Sequence, residues 1–379
     1  MPARRASWRA AKEQWTGYLF IAPAMVLITV FGLFPIGYAV YMSLYAWRVR
    51  QGRFIGLGNY VALLGDGTGV LMFVGGIALL GLAYVVWHRA LSADSTFRLL
   101  GLLAIALVLI GAGIGVGLGW HRMLVTANNA RFLNALPITL FYAVGSIPVQ
   151  LVLALALASV LFRNLHGQGV FRTVFFVPYV MPTVATAMVF RTLFSDRPTS
   201  IANRVLTCIG LEPQQWLAEP RPVLEVLFGL HLPGYWAGPS LALVSIIIFG
   251  IWTFVGYNVL VFLAGLSTIS PELYEAGRVD GADEWKLFRH ITLPLLSPVT
   301  FYLALIGCIG TFKAFNHLYT MRTPLAQDTV DTASVVIFDT FFKANQYGEA
   351  AAQAMLLFVL ILGLTYAQNA LVGERVFYG

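Results

Sequence analysis

Residues 272–298 read ELYEAGRVDGADEWKLFRHITLPLLSP and carry eight charged side chains. Residues 232–271 before this stretch and residues 291–312, which begin inside it, contain neither a charged residue nor a histidine. Each of these two segments is long and apolar enough to lie inside a lipid bilayer. A charged segment that contains glycine therefore separates two segments that suit a membrane.

The composition of the whole chain is that of a membrane protein. Of its 379 residues, 59% are hydrophobic and 11% are charged, and the mean hydropathy is +0.78. Soluble domains carry about 25% charged residues, so the composition argues against a soluble protein. The net charge of +7 comes from scattered basic residues. The chain has no basic run with interleaved aromatic residues, so we expect no nucleic-acid partner.

Apolar segments long enough to cross a bilayer recur along the chain, since a span needs roughly 20 residues. Eight are predicted, at residues 18–45, 67–87, 99–120, 136–162, 173–190, 241–265, 291–312 and 350–372. The sequence therefore predicts an all-α integral membrane protein, a polytopic helix bundle of about eight spans in the lipid bilayer. Pro137, Pro148, Pro178 and Pro182 predict broken helices of the kind that build transport pathways, with packing kinks as the alternative.

The opening stretch predicts a short helix, a tight elbow and a second helix. Ser270 and Pro271 suit the start of a helix, and Gly281 suits the left-handed backbone that ends one. Asp283 can cap the second helix. The product is either a rigid knob that inserts into a cleft of another protein or a solvated loop with helical ends.

Side-chain spacing gives further expectations for this stretch. Glu275 and Arg278 are three residues apart and can form an ion pair on the first helix. The second helix should have one apolar face, made of Trp285, Phe288 and Ile291 or Thr292. Small side chains should keep the elbow slim, at Ala276, Gly277, Gly281 and Ala282.

The same stretch contains a spaced pattern: Glu-Ala-Ala, two residues, Asp-Gly-Ala, five residues and Phe, followed by Ile and Leu-Pro. It is filled here by Glu275, Ala276, Gly277, Asp280, Gly281, Ala282, Phe288, Ile291, Leu293 and Pro294. Only Gly277 departs from the pattern. The segment resembles the conserved loop of permease subunits of binding-protein-dependent, ATP-driven importers. The resemblance implies that these residues couple the chain to an ATPase.

Further segments resemble sugar permeases of the maltose and glycerol-phosphate type. Residues 164–194 resemble their third-span region, and residues 315–329 and 338–362 resemble their last outer loop and span, without the usual Gly-Gly-Pro. The resemblance covers the first span and residues 136–379. Six spans are typical of this group, so two spans are additional. The implied organisation is an N-terminus with the first span (1–63), an extra hairpin (64–131) and a permease core (132–379) with a coupling loop at 270–294.

The resemblance also implies partners and a location. They are a second permease subunit in a heterodimer, two copies of a cytoplasmic ATPase and an extracytoplasmic sugar-binding protein. We expect a bacterial or archaeal cytoplasmic membrane, with both termini cytoplasmic. None of the four lysines follows a glycine, so the chain lacks a Gly-Lys-Ser/Thr phosphate loop. ATP and Mg are therefore expected on the partner ATPase, and no catalytic residue, metal or cofactor is expected in this chain.

Sugars are bound by aromatic faces and by amide or hydroxyl hydrogen bonds. Candidate pathway residues are Trp252, Tyr257, Asn258, Phe315, Asn316 and Tyr319, each of which could instead serve packing or the membrane interface. The expected cargo is a di- or oligosaccharide or a glycoside; the alternative is a phosphate ester or another small solute. A self-powered secondary transporter would need acidic residues within its spans, and the eight predicted spans contain none.

Overall fold

The computed structural model describes Trp15 and residues 17–91, 96–162 and 166–373, and within this part of the chain the regular structure is helical, without a β-strand. The predicted all-α class is therefore confirmed. The described residues form two compact units. One unit extends to Asn128 and includes Thr340–Leu356, and the other comprises Asn129–Asp339 and the residues from Leu357 onward.

The first unit contains the first three spans. Its helices are α1 (Gly17–Ser43, with a π-helical turn at Thr29–Leu33), α2 (Gly58–Leu64), α3 (Gly67–Leu91), α4 (Thr96–Ala112) and α5 (Ile114–Thr126). Helices α4 and α5 together provide one span, Leu99–Thr126.

Helices α3 and α5 approach each other through glycines. A Cβ atom at Gly119 would lie 2.5 Å from the backbone nitrogen of Phe73, and one at Gly76 would lie 2.7 Å from that of Val116. Lipid tails supply no hydrophobic drive between helices, so close backbone contact of this kind is a main source of association in a membrane. Arg122 and Asp66 form an ion pair of 2.7 Å at one end of the hairpin.

The second unit contains the remaining helices, which differ widely in length. They are α6 (Arg131–Leu161), α7 (Gln168–Val180), α8 (Thr183–Leu193), α9 (Ile201–Cys208), α10 (Val223–Phe228), α11 (Leu241–Leu266), α12 (Pro271–Val279), α13 (Glu284–Leu295), α14 (Ser297–Phe312), α15 (Asn316–Met321), α16 (Gln327–Val330) and α17 (Ala333–Phe338). Short 3₁₀ turns lie at Trp216–Ala218 and Gly234–Ala237. The last helix, α18 (Tyr347–Val372), follows a π-helical turn at Asp339–Lys343 and passes from the first unit into the second.

The predicted eight spans match six long helices and two bent pairs. Helices α7 and α8 meet at 95°, and α13 and α14 meet at 60°. The first bend falls between Met181 and Pro182, where Met181 has extended backbone angles. A proline disfavours helical geometry in the residue before it, which explains the position of the bend.

The prediction that Pro137, Pro148 and Pro178 break a helix is wrong, because the first two lie inside the continuous helix α6 and Pro178 lies inside α7. Packing accounts for the difference in α6. Ile147, which precedes Pro148, packs against Gly307 of α14, and Gly145 packs against Ile247 of α11. Neighbours on two sides therefore hold this part of α6 helical despite the missing hydrogen bond.

The core of the second unit lies around α11. In an apolar stretch of 18 residues of this helix 56% of the residues are buried, against 28% or less for the other spans made of a single helix. One apolar cluster surrounds Phe249 near the start of α11, and a second surrounds Phe262 near its end. The first cluster includes Tyr142 of α6 and Leu318 of α15, and the second includes Leu296. The segments before and after α11 are therefore anchored to a rigid central helix.

Candidate functional site

The structure contains the predicted helix–elbow–helix as α12 and α13. The hydroxyl of Ser270 accepts a hydrogen bond from the backbone nitrogen of Glu272, and the carboxylate of Asp283 accepts one of 2.7 Å from that of Lys286. Gly281 lies between the helices at φ +78° with nothing within 4 Å of the position of a Cβ atom. Its left-handed backbone is the conformation predicted for the residue that ends the first helix, and no neighbour restricts the space around it.

Gly277 is the residue at which the elbow is closely packed. A Cβ atom there would lie 2.6 Å from Cδ2 of Leu287 and 3.3 Å from Cδ1 of Ile291. The hydroxyl groups of Tyr274 and Thr292 join the two helices at 3.0 Å. These contacts fix α12 against α13.

The predicted apolar face of the second helix is formed in part. Trp285 stacks on Phe288 but is 65% exposed, and the buried side chains of this helix are Leu287 and Thr292. Leu287 is buried because its side chain packs into the space that the missing side chain of Gly277 leaves open.

Arg278 approaches Glu284 at 3.4 Å rather than the predicted Glu275, because the elbow brings the start of α13 back to the end of α12. Both side chains of this pair are exposed, so the contact contributes little to stability.

The rest of the coupling-loop residues lie mainly on the surface. Those exposed are Glu275, Ala276, Asp280, Gly281, Leu293 and Pro294, whereas Ala282 and Phe288 are partly buried. Sequence reasoning missed Val279, which is 88% exposed at the end of α12 beside the elbow. The exposure of Val279 could have been predicted from its sequence position, because it lies two residues before the glycine of the predicted turn, Gly281. Val279 and Trp285 give the segment an apolar tip among charged side chains.

A groove of about 320 Å³ lies where α12 and α13 meet the ends of α6 and α11. Its walls include Ser159 and Phe162 from the end of α6, Leu266 from α11, and Tyr274 and Leu287 from the segment itself. Tyr274 and Ile291 of the segment pack against the apolar cluster that contains Leu161 and Leu266, so the segment contacts the ends of both long helices.

The six candidate pathway residues do not form one group. Tyr257 stacks on Tyr179 of α7, with ring centroids 4.9 Å apart. Trp252 contacts Phe190 of α8, also at 4.9 Å. Asn258 is buried.

The remaining three candidates lie at the start of α15. Phe315 and Tyr319 contact each other at 5.1 Å and both contact Phe338, and Asn316 is exposed. The structure thus brings Phe315 and Tyr319 together and places Tyr257 in a separate aromatic group around Tyr179, which also contacts Phe254. Trp252 contacts Phe249, with ring centroids 6.2 Å apart. Phe249 in turn contacts His317 of α15, with ring centroids 5.4 Å apart.

His317 was not among the predicted site residues, and the structure shows it buried beside α6. Its Nε2 lies 2.7 Å from the hydroxyl oxygen of Tyr142. Burial lowers the pKa of His317 to about 4, so the imidazole is neutral near pH 7. A neutral ring can either donate to or accept from Tyr142, and the contact ties α15 to the long helix α6.

A cluster of four ionised side chains was not predicted. Arg322 lies 3.1 Å from Asp331 and 3.0 Å from Asp339, and Arg131 lies 2.6 Å and 2.8 Å from the same two residues. Both aspartates are buried. Burial alone would lower the pKa of Arg322, but its hydrogen bonds to Asp339 and Asp331 outweigh burial and raise it. The cluster joins the start of α6 to the segment after α14.

Comparison with known proteins agrees with this architecture. Residues 150–377 match the family described as the binding-protein-dependent transport system inner membrane component. The chain is 28% identical over 381 residues to the arabinooligosaccharides transport system permease protein AraP of Bacillus subtilis, covering 98% of this chain and 94% of that protein. It is 28% identical to the lactose transport system permease protein LacF of Rhizobium radiobacter, with 95% and 94% covered.

A solved structure shares the fold. It belongs to a bacterial ABC transporter involved in the import of the acidic polysaccharide alginate, and it matches with a TM-score of 0.61 at 19% identity, covering 97% of this chain and 99% of that one. The family match extends over more than half of the sequence and includes the helix–elbow–helix segment. The chain therefore belongs to the binding-protein-dependent transport system inner membrane component family, as a multi-pass inner-membrane protein.

Proposed function

We propose that this chain is the permease subunit of an ATP-driven importer, that it lines the pathway of a sugar, and that residues 270–294 couple it to a separate ATPase. The helix–elbow–helix segment carries the proposal. It is capped at both helix starts, closed by contact between Gly277 and Leu287, and exposes Val279 and Trp285 at its tip. A rigid-body switch needs a stiff connector between moving parts, and this construction is stiff.

The chain requires partners for this function. Since it has no phosphate loop, ATP and Mg would be bound by two copies of a separate cytoplasmic ATPase. A second permease subunit would complete the pathway. An extracytoplasmic binding protein would deliver the cargo. The alginate transporter with the same fold has been crystallised with a pentasaccharide-bound periplasmic protein, which supports this last expectation.

The orientation follows from the proposed coupling. Residues 270–294 would face the cytoplasmic ATPase, and six spans precede them in the chain. An even number of spans returns the chain to its starting side, so the N-terminus would be cytoplasmic. Two further spans follow, which would also leave the C-terminus in the cytoplasm.

The proposed cargo is a di- or oligosaccharide or a glycoside. AraP, LacF and the trehalose/maltose transport system permease protein MalF of Thermococcus litoralis are all named for sugars. Exposed or partly buried aromatic rings at Trp252, Tyr257, Phe315 and Tyr319 supply the flat apolar faces that sugar rings prefer. Asn316 lies beside two of them and can donate and accept hydrogen bonds.

Affinity purification of the full chain from its own membranes, followed by mass spectrometry, tests the assembly. We expect an ATPase and a second permease to accompany the chain. A cysteine introduced at the exposed Val279 should cross-link to that ATPase. The control is a cysteine at Leu325, which is also exposed but lies near the opposite end of the unit, where Thr323 donates to the carbonyl of Leu217. A chain that purifies alone and transports solute in vesicles without ATP would refute the proposal.

The cargo is tested separately, by screening sugars and phosphate esters against the binding protein that associates with the complex. Tight binding of a di- or oligosaccharide, followed by ATP-dependent uptake of the same compound, supports the sugar assignment. Selective binding of a phosphate ester would overturn the sugar assignment while leaving the coupling role of residues 270–294 intact.

A further inference from the structure

Arg172, the fifth residue of α7, is partly buried and has one unsatisfied guanidinium nitrogen. Its Nε atom is buried and has no hydrogen-bond partner among the residues that the structure describes. Arg322, by contrast, is bonded to both Asp331 and Asp339. Leaving a buried N–H of a charged group without an acceptor is costly, so the position of Arg172 favours an anionic ligand.

Arg172 lies at one end of an open groove of about 380 Å³. The groove is otherwise lined mainly by apolar side chains, namely Phe176, Val177 and Val180 of α7, Met181 directly after it and Leu260 of α11, together with Thr173. The three apolar residues of α7 follow Arg172 at offsets of four, five and eight, which is one face of a helix. At 1.5 Å per residue this face extends about 12 Å beyond the arginine. The groove thus combines one cationic end with a long apolar wall.

The position of α7 in the membrane places the cationic end of the groove near the bilayer surface and the apolar wall deeper in the bilayer. The helix starts close to the end of α6, where the side-chain amide of Gln168 donates to the carbonyl of Leu161. Helices α7 and α8 form one bent membrane span, so Arg172 lies near one end of that span and Val180 lies deeper in it. An arginine at the edge of the hydrocarbon region with apolar residues below it matches a lipid, whose phosphate is at the same depth as the arginine and whose acyl chains are deeper.

We propose that the groove along α7 is a binding site for an anionic phospholipid. The lipid phosphate would accept hydrogen bonds from the guanidinium of Arg172, and one acyl chain would lie along Phe176, Val177 and Val180. A positive side chain whose buried Nε atom has no acceptor among the described residues favours a lipid with net negative charge over a zwitterionic one. The site requires neither the cargo nor the ATPase.

Native mass spectrometry of the delipidated, full-length chain with its co-purifying subunits tests the proposal. The complex is titrated with phosphatidylglycerol and, separately, with phosphatidylcholine. We expect one phosphatidylglycerol per chain to bind about five-fold tighter than phosphatidylcholine, which corresponds to the contribution of a single arginine near an anionic headgroup. Arg172→Gln should abolish the preference, and Arg172→Lys should retain most of it. Arg89→Gln, which changes an exposed arginine near the end of α3 and outside residues 270–294, is the control.

A second variant protects the test against misfolding of the arginine mutants. Val177→Trp leaves Arg172 in place but fills the apolar part of the groove, and it should weaken phosphatidylglycerol binding. Equal binding of the two lipids by the wild-type complex would overturn the proposal, as would phosphatidylglycerol binding that Arg172→Gln does not change. Competition by millimolar inorganic phosphate equal to that by the lipid would show that the site takes phosphate rather than phospholipid. If residues of the second permease cross-link to Val177 and exclude lipid, the groove is a subunit interface and the proposal fails.

Discussion

Leu287 occupies the space beside Gly277: its Cδ2 atom lies 2.6 Å from the position that a Cβ atom of residue 277 would take. The related importer loops have alanine at this position of their pattern, so the contact explains how this chain accommodates the change. A glycine in a helix costs about 0.5–1 kcal/mol relative to alanine. The closer approach of Leu287 offsets part of that cost through packing.

We expect Gly277→Ala to preserve transport. The obstructing atom is the end of a flexible leucine side chain, which can rotate, and alanine improves helix propensity by up to about 1 kcal/mol. Gly277→Trp cannot be accommodated in this way and should separate α12 from α13. ATP-dependent uptake, normalised to the amount of chain in the membrane, distinguishes the variants. Equal uptake by both would show that contact between the two helices does not matter.

Gly281→Trp should abolish coupled uptake while leaving the chain in the membrane. The reason is the backbone, since φ is +78° at this position and a left-handed conformation costs a residue with a side chain about 1–2 kcal/mol. A bulky side chain would also stand at the exposed elbow. Gly281→Asn is the matched control, because asparagine tolerates the left-handed conformation and should retain most of the uptake. Wild-type uptake by the tryptophan variant would contradict docking through the elbow.

Arg322→Gln should destabilise the chain by about 3–5 kcal/mol, because it leaves Asp331 and Asp339 with one arginine between them. The loss should appear as a lower melting temperature of the purified complex. Arg191→Gln, which changes an exposed arginine of α8, should alter stability by no more than about 0.5 kcal/mol.

Adding Asp339→Asn to Arg322→Gln should recover part of the lost stability, since it removes the surplus negative charge beside Arg131. If the double variant is less stable than either single variant, the aspartates do not interact with Arg322 as the structure indicates.

Acidification should destabilise the complex through His317. The unfolded imidazole titrates near its ordinary pKa of 6.5, whereas burial lowers the pKa of the folded one to about 4. Between these values the unfolded chain binds a proton that the folded chain does not, so stability is lost as the pH falls through this window, by up to about 3 kcal/mol. Melting temperatures between about pH 7 and about pH 5 should therefore decline less in His317→Gln. His231→Gln, at an exposed position, should decline as the wild type does.

Much of the fold could be predicted from local patterns. Apolar length alone located the eight spans, because a membrane imposes one dimension on every helix that crosses it. Capping residues located the helix–elbow–helix, since Ser270, Gly281 and Asp283 act within a few residues of themselves. Pro182 and Pro148 show the limit of this reasoning. Each proline disfavours a helix equally, and only the neighbours packed against α6 decide that Pro148 leaves its helix intact.

The polar sites that were not predicted are formed by residues far apart in the sequence. Arg131 is 200 residues from Asp331, and Tyr142 is 175 residues from His317. No spacing rule relates residues so far apart, and each of them taken alone is an ordinary loop or interface residue. The candidate pathway residues were selected by type rather than position, which explains why Asn258 is buried while Trp252 is exposed.

The four ionised groups around Arg322 also have an electrical consequence. Two arginines and two aspartates sum to no net charge, so moving the cluster as a body carries almost no charge through the membrane field. A single unpaired charge would couple such a movement to the field by about 2.3 kcal/mol per 100 mV. Because the cluster is neutral, its movement would require almost no electrical work against the membrane potential. The rate of such a movement would therefore not depend on the membrane potential.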